Sequence, residues 1–227
     1  MTHTLFLADP GFSSWSMRVG LLAFRFALPV DIRWLEIYGT PPLAQQIGHP
    51  PARTVPFLLC DDGAEVAESL AIAEELAARF PDQPLWPADP RRRALARSLA
   101  AEMHAGFAAL RSHCPMCLRT AYAEVELPEK VAADLARLDV IWSDALARSG
   151  GPWLAGDYSI ADAFFAPVAA RIAGYSLPVG ETARAYVDAH LAETAFRRWR
   201  QLGLERGAAL EDSVYRQTWP RIDWPAA

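Results

Sequence analysis

Apolar and polar positions change their rhythm once along the chain. In the first third, short β-branched and aromatic runs alternate with helical patterns: Thr4 to Ala8, then Trp15 to Leu28, then Ile32 to Tyr38. Strand, helix and strand in that order predict a βαβ unit. Two further short runs, Phe57 to Cys60 and Glu65 to Ala67, flank the turn signal Asp61-Asp62-Gly63, and an Ala-rich helical pattern follows from Ser69 to Phe80. These predict a hairpin and then a helix. Beyond residue 90 the strand signals fade. Apolar residues recur at three- and four-residue spacing over Leu95 to Leu110, Val131 to Leu146, Ile160 to Ile172 and Tyr186 to Trp199, as in a helical domain.

Between the two regimes lies Pro81-Asp-Gln-Pro-Leu-Trp-Pro-Ala-Asp-Pro90, with four prolines in ten residues, which excludes helix interior and central strand. Alanine usage changes across it, from 11 of the first 82 residues to 31 of the remaining 145. The expected organisation is an α/β domain over residues 1–82, a proline-rich linker over 83–90 and an all-helical domain over 91–227.

Composition narrows the function classes. The chain has 227 residues, 52% hydrophobic and 22% charged, with a net charge of -5, so it is a folded protein and not a disordered one. Of the 22 basic residues all but Lys130 are Arg, spread along the sequence; without a basic stripe, no nucleic-acid partner is expected. Met1 to Asp9 lacks the positive start of a secretion signal, and every apolar stretch is cut by Arg, Asp or Pro well short of the ~20 residues of a bilayer span. No membrane partner is expected, and a cytoplasmic location is. Three cysteines provide no disulfide framework.

Four places carry candidate chemistry. The first strand ends in Asp9-Pro10-Gly11, and Ser13-Ser14-Trp15-Ser16 opens a helix, so backbone N–H groups and the positive end of the helix dipole point out of the strand end, where an anion would bind. Capping alone also accounts for a serine here. Arg53-Thr54-Val55-Pro56-Phe57 sets a proline at a strand start, read either as a plain strand start or as a cis Val55–Pro56 bond that turns the Val55 backbone outward toward an extended peptide ligand. Glu68-Ser69 opens the next helix, as a cap or as a pocket for a zwitterion, Glu68 taking the ammonium and Ser69 with the helix N-terminus taking the carboxylate. Gly156-Asp-Tyr-Ser159-Ile-Ala-Asp162 is a capping box ahead of an apolar helix, a structural feature.

With these four in order, the chain resembles a glutathione S-transferase over nearly its whole length. The resemblance implies a thioredoxin-like α/β domain, an all-helical C-terminal domain and glutathione as cofactor. Ser13 matches the position that activates the glutathione thiol in serine-type members, with Ser14 as rival donor. Val55 would pair by backbone with the cysteinyl unit, Thr54 would lie near the glycyl end, and Glu68 with Ser69 would hold the γ-glutamyl group. The stretch Ser13 to Val19 is most similar to the zeta class, which carries Cys where Trp15 stands and Trp where Met17 stands. Met103, Phe107, Arg111 and Cys114 are expected to line the wall facing the thiol, where a small hydrophobic electrophile would sit, with ordinary helix packing as the alternative for each. A homodimer is expected, with Arg91-Arg92-Arg93 at the start of a helix facing the partner.

A serine suffices for the chemistry. A free thiol titrates near pH 8.5, and lowering that by about two units takes about 2.7 kcal/mol. A hydrogen bond to the charged form contributes about 1.5–3 kcal/mol and a helix terminus about 0.3–1 kcal/mol. Two further readings stay in view. A glutathione-dependent cis–trans isomerase of maleyl-type dicarboxylates would draw on Arg18, Arg111 or Arg171 for its carboxylates, and a non-catalytic glutathione-binding module would keep only the fold. Cys114-Pro115-Met116-Cys117, beside His113 and His104, invites a redox dithiol or a zinc site. In a thioredoxin-like domain the redox pair belongs at the first helix N-terminus, which here holds Ser13 and Ser16, so neither a disulfide nor a metal is expected.

Overall fold

A computed structural model describes residues 2–206 and 217–225; Met1, residues 207–216 and residues 226–227, the last two falling in the expected helical domain, lie outside them. Strand β1 (His3–Ala8) is followed by helix α1 (Ser14–Arg25) and strand β2 (Val30–Leu35). β1 and β2 pair in parallel from His3↔Val30 to Ala8↔Leu35, which is the expected βαβ unit. A short helix α2 (Leu43–Ile47) leads to the hairpin β3 (Phe57–Leu59) and β4 (Glu65–Ala67), and then to α3 (Ser69–Arg79). β3 lies antiparallel to both β1 and β4, so the sheet runs β2-β1-β3-β4.

This order explains the composition of β1. As an inner strand covered on both faces it is apolar at consecutive positions, with Leu5 and Leu7 fully buried on the helical side and Phe6 buried with Ile47 and Phe57 on the α2 side. α2 went unannounced in the apolar pattern because only Ile47 of its five residues is buried.

The second part is helical: α4 (Pro90–Ala105), α5 (Ala108–His113), α6 (Glu129–Ser149), α7 (Ile160–Gly174), α8 (Glu181–Ala192) and α9 (Thr194–Glu205). α4 begins at Pro90 itself, capped by Asp89, whose carboxylate accepts from the Arg91 and Arg92 N–H groups; proline fits the first helical position, where no N–H is needed. Two apolar patterns read as single helices are each broken. Gly106 and Phe107, the latter at φ 57°, separate α4 from α5. Glu193 ends α8 and caps α9 with its own carboxylate, which accepts from the Phe196 N–H. A two-residue strand pair, β5 (Ala121–Tyr122) with β6 (Arg221–Ile222), ties the end of the chain back to the helical part.

α7 is the axis of the whole, with all fifteen residues buried. α1 packs against α7 and α9. Trp199 of α9, fully buried, donates from its indole to the Pro10 carbonyl at 2.8 Å and occupies the space where any side chain at Gly20 would sit. One continuous core therefore runs from the sheet into the helices. Among the described residues no helix is long and apolar enough to cross a membrane.

Candidate active site

The end of β1 and the start of α1 meet in a chain of hydroxyls. Ser13 is the N-cap of α1, and its Oγ accepts from the Ser16 N–H. The Ser13 hydroxyl donates to Ser16 Oγ at 2.8 Å, and Ser16 Oγ also accepts from the Ala8 N–H at 3.1 Å. Met17 N–H bonds the Ser13 carbonyl, and Ser13 N–H bonds Asp9, leaving the Ser14 and Trp15 N–H groups, at the first two helical positions, without a partner among the described hydrogen bonds. The first turn of α1 contains no acidic residue, so nothing within the helix neutralises its positive end.

Three arginines stand around this end. Arg18, one turn along α1, is buried, with its guanidinium carbon 4.2 Å from the Trp15 ring centre and 4.9 Å from that of Phe164 on α7. Its Nη1 reaches Ser69 Oγ at 3.5 Å, while its Nε is buried without a partner. Burial, reinforced by Arg111 and Arg171, pushes its titration down to about 9. Arg111 on α5 stands 4.7 Å from the Trp15 ring centre. Arg171 on α7 is buried and gives Nε to the Cys114 carbonyl at 2.8 Å and Nη1 to the Pro167 carbonyl at 3.0 Å.

The N-terminus of α3 faces the same region. Glu68 precedes the helix at φ 74°, a backbone region that non-glycine residues rarely occupy. Its exposed side chain lies 3.8 Å from His104 Nε2 on α4. Ser69 is fully buried. His104 packs edge-on to Trp15 at 5.3 Å; burial and the Arg18 charge lower its pKa. Val55, half-buried over the Phe6–Phe57 cluster, precedes a cis bond to Pro56, and Thr54 beside it is exposed.

The structure thus brings Ser13, Ser14, Trp15, Arg18, Ser69 and Arg111 into one region with Glu68 at its rim. Ser14 and Arg111 line a pocket of about 350 Å³ with Trp15, Ala108, Ser112 and Arg171. The other expected wall residues are elsewhere: Met103 and Cys114 are fully buried and Phe107 nearly so, all three in the main core. Phe107 packs edge-on to Phe165 of α7 with ring centres 6.3 Å apart, and the Cys114 carbonyl accepts from Arg171 Nε, so both positions are tied to α7. Cys114 and Cys117 are buried and not joined in a disulfide, and burial pushes the Cys114 thiol up to about 12, away from thiolate chemistry. Nothing in the local sequence marks His104, 36 residues from Glu68, as part of the site. The hydroxyl role of Ser16 is signalled only by the Ser13-x-x-Ser16 spacing, which puts the second hydroxyl at the N3 position.

Residues 12–79 match the glutathione S-transferase N-terminal domain. The fold is that of the glutathione transferases. A glutathione transferase homologue from Burkholderia gl BGR1, solved with bound glutathione, superposes with a TM-score of 0.68 at 23% identity, over 91% of this chain and 100% of that one. Glutathione transferase Omega 1C from Trametes versicolor reaches a TM-score of 0.72 at 17% identity, over 96% and 99% of the two chains. A homologue from Sulfitobacter, also with bound glutathione, gives 0.64 at 19% identity, over 89% and 99%. No curated protein matches the chain significantly.

Proposed function

We propose that the protein binds glutathione across the N-termini of α1 and α3 and presents its sulfur, as thiolate, to an electrophilic co-substrate, in the manner of a serine-type glutathione transferase. The observation that carries this reading is the Ser13–Ser16 hydroxyl pair, 2.8 Å apart at a helix end with no acid in its first turn. Two hydroxyls at that distance exchange donor and acceptor roles by rotating both O–H bonds. When Ser13 turns its O–H toward a sulfur, Ser16 donates to Ser13 Oγ in return, while Ala8 N–H continues to hold Ser16. Ser13 is released as a donor and its position is kept. It stabilises the thiolate and is neither nucleophile nor base.

The free N–H groups of Ser14 and Trp15 add the helix-end contribution. On the α3 side, Ser69 and Glu68 take the γ-glutamyl group, the unusual backbone of Glu68 being supporting evidence of a functional position. Val55 pairs by backbone with the cysteinyl unit, and Thr54 lies at the glycyl end. The enzyme acts as a homodimer, which light scattering at micromolar concentration checks against the 25.0 kDa of one chain.

The decisive experiment follows the ultraviolet absorbance of the thiolate of bound glutathione against pH. In the parent the midpoint lies below the free value near 8.5. Ser13→Ala moves it back by about one to two units, since the lost hydrogen bond to the anion is worth about 1.5–3 kcal/mol. Ser14→Ala moves it only slightly. A larger shift in Ser14→Ala transfers the role to Ser14, and no shift in either variant ends the serine reading. Thiol-transfer and maleyl-type isomerisation assays on the same samples separate the two reaction classes.

A further inference from the structure

The pocket beside Ser14 has the wrong character for a purely hydrophobic co-substrate. Arg111 and Arg171 both line it, together with the hydroxyls of Ser14 and Ser112, the Trp15 ring and Ala108. Arg171 is only 5% exposed, and two of its nitrogens are fixed on the Cys114 and Pro167 carbonyls. Neither carbonyl is a charge. None of its described hydrogen bonds uses Nη2, the remaining terminal nitrogen. Arg111 makes one long contact, Nη1 to the Gly106 carbonyl at 3.4 Å. Among the described residues no Asp or Glu forms an ion pair with Arg18, Arg111 or Arg171, although the chain carries 27 acids against 22 bases. A buried charge without a counter-ion is expensive to maintain, and the half-exposed Arg111 adds repulsion: Arg171 is pushed down to about 10, first by burial and then by the Arg111 charge. Both remain cations at neutral pH, so the pocket holds positive charge that the protein leaves uncompensated.

We infer that this pocket is an anion subsite, in which Arg111 and Arg171 hold a carboxylate or similar planar anionic group of the co-substrate, the Trp15 ring packs on the attached flat apolar body, and the electrophilic carbon is turned toward the sulfur at Ser13. The inference rests on the proposed glutathione chemistry for its last clause only. A carboxylate could also come from glutathione itself, but in that reading glutathione lies along α3 and Val55, whereas the pocket opens on the α5 and α7 side of Ser14. The co-substrate is therefore the source. The guanidinium fork suits a carboxylate in two parallel hydrogen bonds, and Arg171, clamped by two carbonyls, is pre-oriented for it.

The test uses the whole chain and two unreactive probes of the same shape, 4-nitrobenzoate and 4-nitrobenzamide, read by tryptophan fluorescence or calorimetry with and without glutathione. The benzoate binds about tenfold or more tighter than the amide, the preference shrinks as salt is raised, and Arg111→Gln abolishes it. Arg171→Gln abolishes it as well if the variant folds; Arg111, half-exposed on α5, keeps the test alive if it does not. Glutathione affinity stays within about twofold in Arg111→Gln. Equal binding of benzoate and amide by the parent overturns the inference. So does an Arg111→Gln variant that loses glutathione and benzoate together, because the anion is then glutathione's own. A benzoate preference in a protein that fails to bind glutathione preserves the subsite and sinks the transferase reading instead, so the two failures are distinguishable.

Discussion

Among the described residues, two helices begin with a serine N-cap, and they end up in opposite states. At α7, Ser159 is followed at N3 by Asp162, whose Oδ2 accepts from the Ser159 N–H at 2.9 Å and the Ser159 hydroxyl at 3.1 Å. Its Oδ1 accepts from the Leu154 N–H at 3.1 Å and the Tyr186 hydroxyl at 2.8 Å. That helix end is closed: every lone pair is used and a negative charge sits on the positive terminus. At α1, Ser13 is followed at N3 by Ser16, which is neutral; Arg18, Arg111 and Arg171 stand around that end, Glu68 lies at the rim, and the Asp9 carboxylate is turned away to accept from the Ile37 N–H. The end is satisfied for folding but keeps its attraction for an outside anion. A difference of one residue at N3 separates a structural joint from a candidate catalytic one.

Exchanging the N3 residues breaks that comparison from both sides. Asp162→Ser has the largest expected effect, because the Leu154 N–H and the Tyr186 hydroxyl lose their acceptor in a fully buried place. At about 1–3 kcal/mol for each of the two stranded groups, the loss comes to about 2–6 kcal/mol, read as a lowered midpoint in chemical denaturation.

The pH dependence of stability sharpens the contrast next. His190 on α8 is fully buried, ringed by Trp153, Tyr158 and Tyr186, with both ring nitrogens unpartnered, and burial pushes its pKa from 6.5 down to about 3. Its contribution is present above pH 6.5 and is lost as pH falls toward 3, because only the unfolded chain takes up the proton. Asp162 acts in the opposite sense. Burial raises it from 3.8 to about 6 against the four hydrogen bonds it accepts, so its contribution is complete below pH 3.8 and lost as pH rises through 6. The two oppose each other over pH 3.8 to 6. His190→Phe should lose less stability than the parent between pH 6.5 and 3; parallel curves would show that the cage accepts a charged imidazole.

Ser16→Asp is the reverse exchange, closing α1 as α7 is closed. The carboxylate would occupy the helix end and oppose a second anion beside it, so the thiolate midpoint of bound glutathione should rise by about one to two units toward the free value. Retention of the lowered midpoint would mean that the state of the helix end is irrelevant to the thiol. Ser159→Ala is the smallest change, about 0.5–2 kcal/mol of stability, with no effect on the thiol titration.

Much of the architecture was legible in the chain because it rests on local periodicity. The βαβ unit, the hairpin at Asp61-Asp62-Gly63 and the long apolar stretch of α7 each leave a pattern within a dozen residues. The breaks between α4 and α5 and between α8 and α9 were not legible. Only Gly106 marks the first, and the second falls at Glu193, with no Gly or Pro near it. In the candidate site, Ser13, Ser14, Glu68 and Ser69 could be found from their places beside helix starts. Met103, Phe107 and Cys114 could not be told from core residues, because an apolar residue on a buried helix face looks the same whether it meets a ligand or another helix.

By itself the sequence determined what is local: where helices begin, which serines cap them, and that Asp162 stands at N3 of one and Ser16 at N3 of the other, since capping is a contact over three residues. Tertiary structure decided the rest. That Leu154 and Tyr186 complete the α7 box, and that Arg18, Arg111 and Arg171 converge from three helices around Trp15 without an ion pair to any described acid, depends on how α1, α5, α7 and α8 pack. Charges far apart in sequence cannot register one another until burial brings them close and strips away the water that screened them.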